Sequence, residues 1–263
     1  MRDILADFDP ITLEEMSGIR LMNRTDTKFV TTVPRLRQLL RLAVSDYRVQ
    51  EIDGVKLSPY YTVYFDTPDH HMYRVHAAGH TNRQKLRIRC YVDSGLNFLE
   101  VKTKNNHGRT RKKRITMEGF DPRFPDHDIR FLGQDEQYRA YDRFLHNTLG
   151  YDPSTLTEQL ENHFDRITLV NRMKTERLTI DTRLILDNLQ TGLHVALPDI
   201  AIIELKRDGL QPSPILALLR QLRIKPMGFS KYCIGTAMTN PHLPHNRIKP
   251  RLHTIYKMEN SIR

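Results

Sequence analysis

Lys85, Arg87 and Arg89 alternate with Leu86, Ile88 and Cys90, so a β-strand through them carries cations on one face and apolar groups on the other. After the turn-like Asp93-Ser94-Gly95 the alternation resumes in FLEVKTK. There Phe98, Glu100, Lys102 and Lys104 share one side, and Leu99, Val101 and Thr103 the other. The two runs read as a basic hairpin. Between Lys85 and Arg114 stand ten Lys or Arg against only Asp93 and Glu100, which accounts for eight of the ten net positive charges of the chain. If the apolar sides face a core, the cations of adjacent strands share the opposite surface, where they repel unless an anion sits among them. A polyanionic ligand is the natural partner.

The 263 residues, 39% hydrophobic and 27% charged, contain no internal repeat or low-complexity tract, as expected of a globular protein with a sizeable core. One domain over residues 1–240 is expected, with 241–263 as a basic, mobile or loosely docked tail. Acidic residues interrupt MRDILADFDPITLEEM where a signal peptide needs an apolar run, and no stretch reaches the ~18 apolar residues of a membrane span. A cytoplasmic protein without a membrane span of its own is expected. Cys90 and Cys233 lack zinc-site spacing and read as reduced structural thiols, while His70, His71, His76 and His80 follow a turn and read as a surface loop.

Strand-like runs occupy 27–32, 60–67, the hairpin, 111–117, 167–173, 177–182 and 199–206. Helical patterns open at Pro34, span 136–150 and open again near Pro214. The fold class is α+β, with eight or so strands closing into an antiparallel barrel. Polar alternation recurs on several strands: Arg24, Asp26 and Lys28; Glu204 and Lys206; and Arg172 and Arg177, which a tight turn at Lys174-Thr175 would set opposite each other as a clamp. Ser230 and Lys231 stand at the mouth of a short helix, where backbone N–H groups favour an anion. A single Glu-x-Lys is usually a solvated ion pair, and part of Arg111 to Arg114 faces solvent on either reading. Recurrence of inward charge on many strands points instead to a polar lumen. No GxxxxGK[ST], GxSxG, HExxH or glycine-rich dinucleotide turn occurs, so side chains would have to hold any phosphates.

In order, RTDTKFV, TVYFDTPD, KLRIRCY, FLEVKTK, NRM followed by RLTIDT, IIELK and FSKY resemble the VTC domain. That is the polyphosphate-polymerase module of the vacuolar transporter chaperone type, within the triphosphate tunnel metalloenzymes. The resemblance runs from about Arg24 to Tyr232 and implies an eight-stranded antiparallel barrel around a tunnel. It implies that Lys28, Arg87, Arg89, Lys102, Arg172, Arg177 and Lys206 surround a triphosphate, with Arg24, Glu100, Ser230 and Lys231 as further substrate contacts. Glu204 would be the ligand of Mg²⁺ or Mn²⁺. A basic residue often found two positions before the family's Ser is here Gly228, with Lys225 as a substitute. Relatives that hydrolyse triphosphate commonly begin Glu-x-Glu-x-Lys, and the same spacing here reads Arg24-x-Asp26-x-Lys28.

The expected activity is transfer of the terminal phosphate of ATP onto a polyphosphate chain. The alternatives are a triphosphatase acting on inorganic or nucleoside triphosphate, and a non-catalytic polyphosphate or nucleotide sensor. A membrane partner protein is compatible with each. Nucleic acid ranks last as a partner, because aromatic residues do not interleave with the cations as a stacking platform requires.

Overall fold

The computed structural model describes residues 1–17, 24–107, 109–118, 136–209 and 211–262. Eight strands carry the alternations: β2 (Arg24–Thr32), β4 (Ser58–Asp66), β5 (Arg83–Tyr91), β6 (Leu96–Lys104), β7 (Thr110–Met117), β8 (Thr157–Asn171), β9 (Glu176–Asn188) and β11 (Ile200–Asp208). They form one path in the order β2-β11-β9-β8-β4-β5-β6-β7, antiparallel throughout. Three short strands that the sequence pattern does not signal join it. They are β1 (Pro10–Ile11), which runs parallel to β3 (Tyr47–Gln50), itself on β8, and β10 (His194–Leu197), which pairs with β9.

The class is α+β, but the sheet curls without closing into the expected barrel. Among the described residues no ladder joins β7 to β2. Two local causes account for this. Strand β7 carries cations on both faces and is exposed along most of its length, so it has no apolar flank to press against a partner. The margin of β2 is already taken, because Phe29 bridges to Pro226 and Met227 N–H donates to the Lys28 carbonyl at 2.8 Å.

The convex face is covered by helices. Val33–Ala43 (α3), with Pro34 in its first turn, buries Leu36, Leu39, Leu40 and Ala43. These residues share a core with Arg2–Ala6 (α1), with Pro214–Gln221 (α6), and with Ile167, Leu178, Ile180 and Ile203 of the sheet. Glu136–His146 (α5) covers the hairpin strands, where Tyr141 and Leu145 meet Leu86, Ile88, Leu99 and Val101.

Lys231–Thr239 (α7) lies on the concave side. Its Tyr232, Ile234 and Ala237 cluster with Val30, Leu160, Phe164, Leu186 and Ile202. Val30 and Ile202 stand two residues from Lys28 and Glu204 and therefore point to the same face of the sheet. At Gly235 an added Cβ would sit 2.6 Å from Leu160 Cδ2 and 3.0 Å from Leu186 Cδ2, so a larger residue would force these buried side chains to shift.

Two expectations change here. The segment from 241 onward is not a loose tail, because Lys249–Asn260 (α8) buries Leu252 and Ile255 in the cluster that holds α7. Of the histidines expected in a loop, His71 and His76 belong to His71–Ala77 (α4) and His70 precedes its first turn, while His80 lies in the exposed segment after the helix. The buried Asp66 carboxylate accepts from Met72 and Tyr73 N–H at 2.8 Å each and so fixes the helix start.

Candidate functional site

A cavity of about 1040 Å³ occupies the part of the concave side that α7 leaves free. Among the described residues that line it, fourteen are Lys or Arg and three are carboxylates, Asp26, Asp181 and Glu204. Ladder registers explain how they converge. Lys28 lies opposite Glu204, Asp26 opposite Lys206, and Lys206 opposite Arg177 on the other side. On the hairpin, Lys85 faces Lys102 and Arg87 faces Glu100. Lys112 and Arg114 of β7 also line the cavity, while Arg111 and Lys113 alternate to the exposed face.

The cations fall into two kinds. Some are matched. Arg166 donates to both Asp181 oxygens, at 2.6 and 2.8 Å, and Lys231 shares the same carboxylate. Burial alone would raise the Asp181 pKa, but Arg166 and Lys231 hold it well below the usual carboxylate range. Glu100, 1% exposed, bonds Arg87 at 2.6 Å and Lys112 at 2.9 Å. Against its burial, Arg87, Arg89 and Lys112 bring it down to about 2. Expected as a substrate contact, Glu100 lies behind the lining and anchors Arg87 instead. Glu204 accepts from Lys206 at 2.9 Å, and its pKa is lowered by Lys28 and Lys206 in spite of burial.

Other cations have no such match. Burial pushes Lys85 down to about 8, and its Nζ donates at 2.7 Å to Ser230 Oγ, a neutral group. Arg89 has a buried Nε without a hydrogen-bond partner, and burial together with Arg87 and Arg166 lowers its pKa. Lys102 opens into the cavity and is lowered as well. Lys28 donates to the Phe229 carbonyl at 2.9 Å. Cations held close together with too few carboxylates to match them describe an anion site.

Lys28, Arg87, Arg89, Lys102, Arg177, Glu204, Lys206, Ser230 and Lys231 are thus brought to one cavity. Arg172 is not. The loop after β8 has four residues rather than two, because Asn171 Oδ1 accepts from Thr175 N–H at 2.8 Å and Glu176 N–H at 3.0 Å. This sets Val170 opposite Arg177, and Arg172 turns outward to Ser45 O at 2.6 Å and Asp9 Oδ2 at 2.7 Å. Lys206 takes the place of Arg172 as the neighbour of Arg177. The Arg24 side chain lies outside the described residues.

Lys85, set on the cation face by the hairpin pattern, also lines the cavity, as do Arg166 and Asp181, which the sequence reading did not single out. Asp181 was legible, since RLTID puts Arg177, Thr179 and Asp181 on one face. Arg251 of α8 had no signal beyond its place in the basic segment after residue 240. Its guanidinium leans on Gly228, where an added Cβ would stand 3.8 Å from Arg251 Cζ, so Arg251, not Lys225, brings a cation to that place. Among the described residues no group of three or more His, Cys, Asp or Glu could hold a metal ion.

A family model described as the VTC domain matches residues 23–240. No curated protein matches the chain. Similar solved structures include a candidate adenylate cyclase from Bacillus halodurans, 13% identical, with 80% of this chain and 96% of that chain covered at a TM-score of 0.48. Another from Vibrio parahaemolyticus is 11% identical over 80% of this chain and 96% of its own, at a TM-score of 0.44. A third, from Hippeastrum, is described as having a dominant triphosphatase activity. It is 17% identical, with 86% and 99% covered, at a TM-score of 0.45.

Proposed function

The chain belongs to the VTC domain family, and from that premise we propose that it is a polyphosphate polymerase, transferring the terminal phosphoryl group of ATP onto the end of a polyphosphate chain. The observation that carries the reading is the unmatched set of Lys85, Arg89 and Lys102 beside the matched Arg87 and Lys206. A triphosphate brings the charge that these groups lack. In the transfer, the bond from the γ-phosphorus to the oxygen bridging to the β-phosphate breaks, and a bond forms to a terminal oxygen of the acceptor. ADP leaves with the electron pair. Such a reaction asks the protein for positioning and neutralisation rather than covalent help. Arg87, fixed by Glu100, and Arg166 and Lys231, fixed by Asp181, are held in place before substrate arrives.

A phosphate nucleophile is already anionic at neutral pH and needs no general base, whereas hydrolysis needs an activated water. The scarcity of carboxylates in the cavity favours transfer to phosphate. Triphosphate hydrolysis is the second reading, and Asp26, a cavity carboxylate one strand away from Glu204, is the observation that favours it.

Mg²⁺ or Mn²⁺ fits this site as an ion carried largely by phosphate oxygens and water, with Glu204 as the protein ligand, since Mg²⁺ commonly binds through one or two carboxylates plus phosphates. When bound it would neutralise charge on the phosphates.

Incubation of the protein with ATP and Mn²⁺ is the test. Chains longer than triphosphate, resolved by gel electrophoresis, are expected; free phosphate as the sole product would replace the polymerase with the triphosphatase. Glu204→Gln is expected to lose metal-dependent turnover while retaining metal-free triphosphate affinity. Turnover near wild type at equal Mn²⁺ would refute the metal assignment.

A further inference from the structure

The inward rows of the basic hairpin have a direction that phosphate neutralisation does not explain. Strand β5 presents Tyr91, Arg89, Arg87, Lys85 and Arg83 in turn, and β6 sets Leu96, Phe98, Glu100, Lys102 and Lys104 opposite them. Away from the turn both rows are charged; next to it they are apolar. Tyr91 lines the cavity and is half-buried, and Leu96, its partner across the ladder, is 50% exposed. Phe98 meets Tyr91 edge to face, with ring centroids 5.7 Å apart, and the Tyr60 ring lies 4.8 Å from it.

Cations border this ledge directly. Arg89 and Arg166 stand over the Tyr60 ring at 6.0 and 4.8 Å, and Arg114 of β7 lies over Phe98 at 4.2 Å. One two-residue step along β5, about 7 Å, separates Tyr91 from Arg89. An inorganic triphosphate gains nothing from an exposed leucine and a tyrosine ring. A nucleotide is built as the rows are, flat and apolar at one end and anionic at the other, with a ribose spanning about one such step between base and α-phosphate.

We propose that Tyr91 and Leu96 form a ledge on which the base of a nucleoside triphosphate stacks, with its α-phosphate at Arg89 and its γ-phosphate directed along the row toward Lys85 and Lys102. Every base has a π face, so the ledge selects a nucleotide over an inorganic phosphate rather than one base over another. This rests on the reading of the cavity as a triphosphate site, and it makes the phosphoryl donor a nucleotide rather than an inorganic chain.

The test is calorimetry without metal, using ATP and its base-free counterpart ribose 5-triphosphate, which carry the same phosphate groups. Wild type is expected to prefer ATP about tenfold, the worth of one base stacked on an aromatic ring. Tyr91→Ala should remove most of that preference, with ribose 5-triphosphate affinity within about twofold of wild type. Leu96→Ala, at an exposed position where folding is not at stake, should reduce the preference about threefold. The chain has no tryptophan, so Tyr91→Trp places a single reporter on the ledge. Its fluorescence should be quenched by ATP and left nearly unchanged by ribose 5-triphosphate. No preference in wild type, equal losses for the two ligands in both alanine variants, or equal quenching would overturn the proposal and leave Tyr91 as part of the wall. Turnover does not enter these ratios. A protein that makes no polymer but keeps the Tyr91-dependent preference refutes the activity and leaves the ledge standing, and polymer made without that preference does the reverse.

Discussion

Adjacent levels of the concave side are built on the same strands and have opposite interiors. Along β2 Val30 gives way to Lys28, along β11 Ile202 to Glu204, and along β8 Phe164 to Arg166. On the apolar level α7 fills the space; on the charged level the filling is left to solvent or ligand. Ser230 and Lys231, where α7 begins, mark the transition. The curled wall therefore does not itself decide between a packed core and a polar lumen. The decision lies in one two-residue step per strand, and the two levels should respond differently to perturbation.

The largest separation is expected from Asp181→Ala, which leaves Arg166 and Lys231 buried without their shared carboxylate. Removing one partner of such a group costs about 3–5 kcal/mol, to be read by urea unfolding. Triphosphate should restore part of the loss by supplying anionic oxygens, and no restoration would show that this pair does not face the ligand. Arg89→Ala probes the same level from the other side. No carboxylate is orphaned, so stability should hold, while triphosphate affinity falls by about 1.5–3 kcal/mol for one charge-assisted contact. Unchanged affinity by calorimetry would make Arg89 structural. At the apolar level Gly235→Val should cost about 1–3 kcal/mol through overpacking against Leu160 and Leu186. Triphosphate affinity of the folded protein should be unaltered, and a parallel loss would mean that the levels are coupled.

The most gradual effect is that of pH. Lys85 and Lys231 lie at about 8 in the fold against 10.5 for the unperturbed side chain. Between these values the unfolded chain binds more protons, so stability without ligand should rise with pH through that window. Ligand reverses the preference by favouring the charged amines. Triphosphate affinity should decline above pH about 8 with proton uptake on binding, measurable from the buffer dependence of the heat; proton release would contradict the assignment.

Much of the charged level was legible because each of its strands repeats a polar residue every second position for three or four steps. Lys85 to Arg89 and Phe98 to Lys104 are the clearest cases. The apolar level was less so. TEQLENHF, the first half of β8, is polar on its outer face and partly polar on its inner face, so its alternation is weak. In β9, Arg183 takes a positive φ of 53° where the register with β8 shifts, and the inward row passes from Asp181 to Leu184. A period of two breaks there, and reading outward from RLTID stops at the break. The Arg172 placement failed for a local reason, since the side-chain bonds of Asn171 select a longer loop than a hairpin pattern announces. Arg251 depends on the docking of a terminal helix, which no local period encodes.

The two margins of the sheet have a bearing on how copies of the chain coexist. Pro226 and Met227 cover the middle of the β2 margin, at Phe29 and Lys28, and so interrupt any ladder that another molecule could form along it. Strand β7 is guarded by Arg111 to Arg114, whose charges repel an identical strand approaching in register. That protection is conditional. A polyanion long enough to coat the outer cations would neutralise it, so the class of molecule proposed to occupy the interior would also govern self-association at this margin, with colloidal behaviour set by the ratio of polyanion to protein.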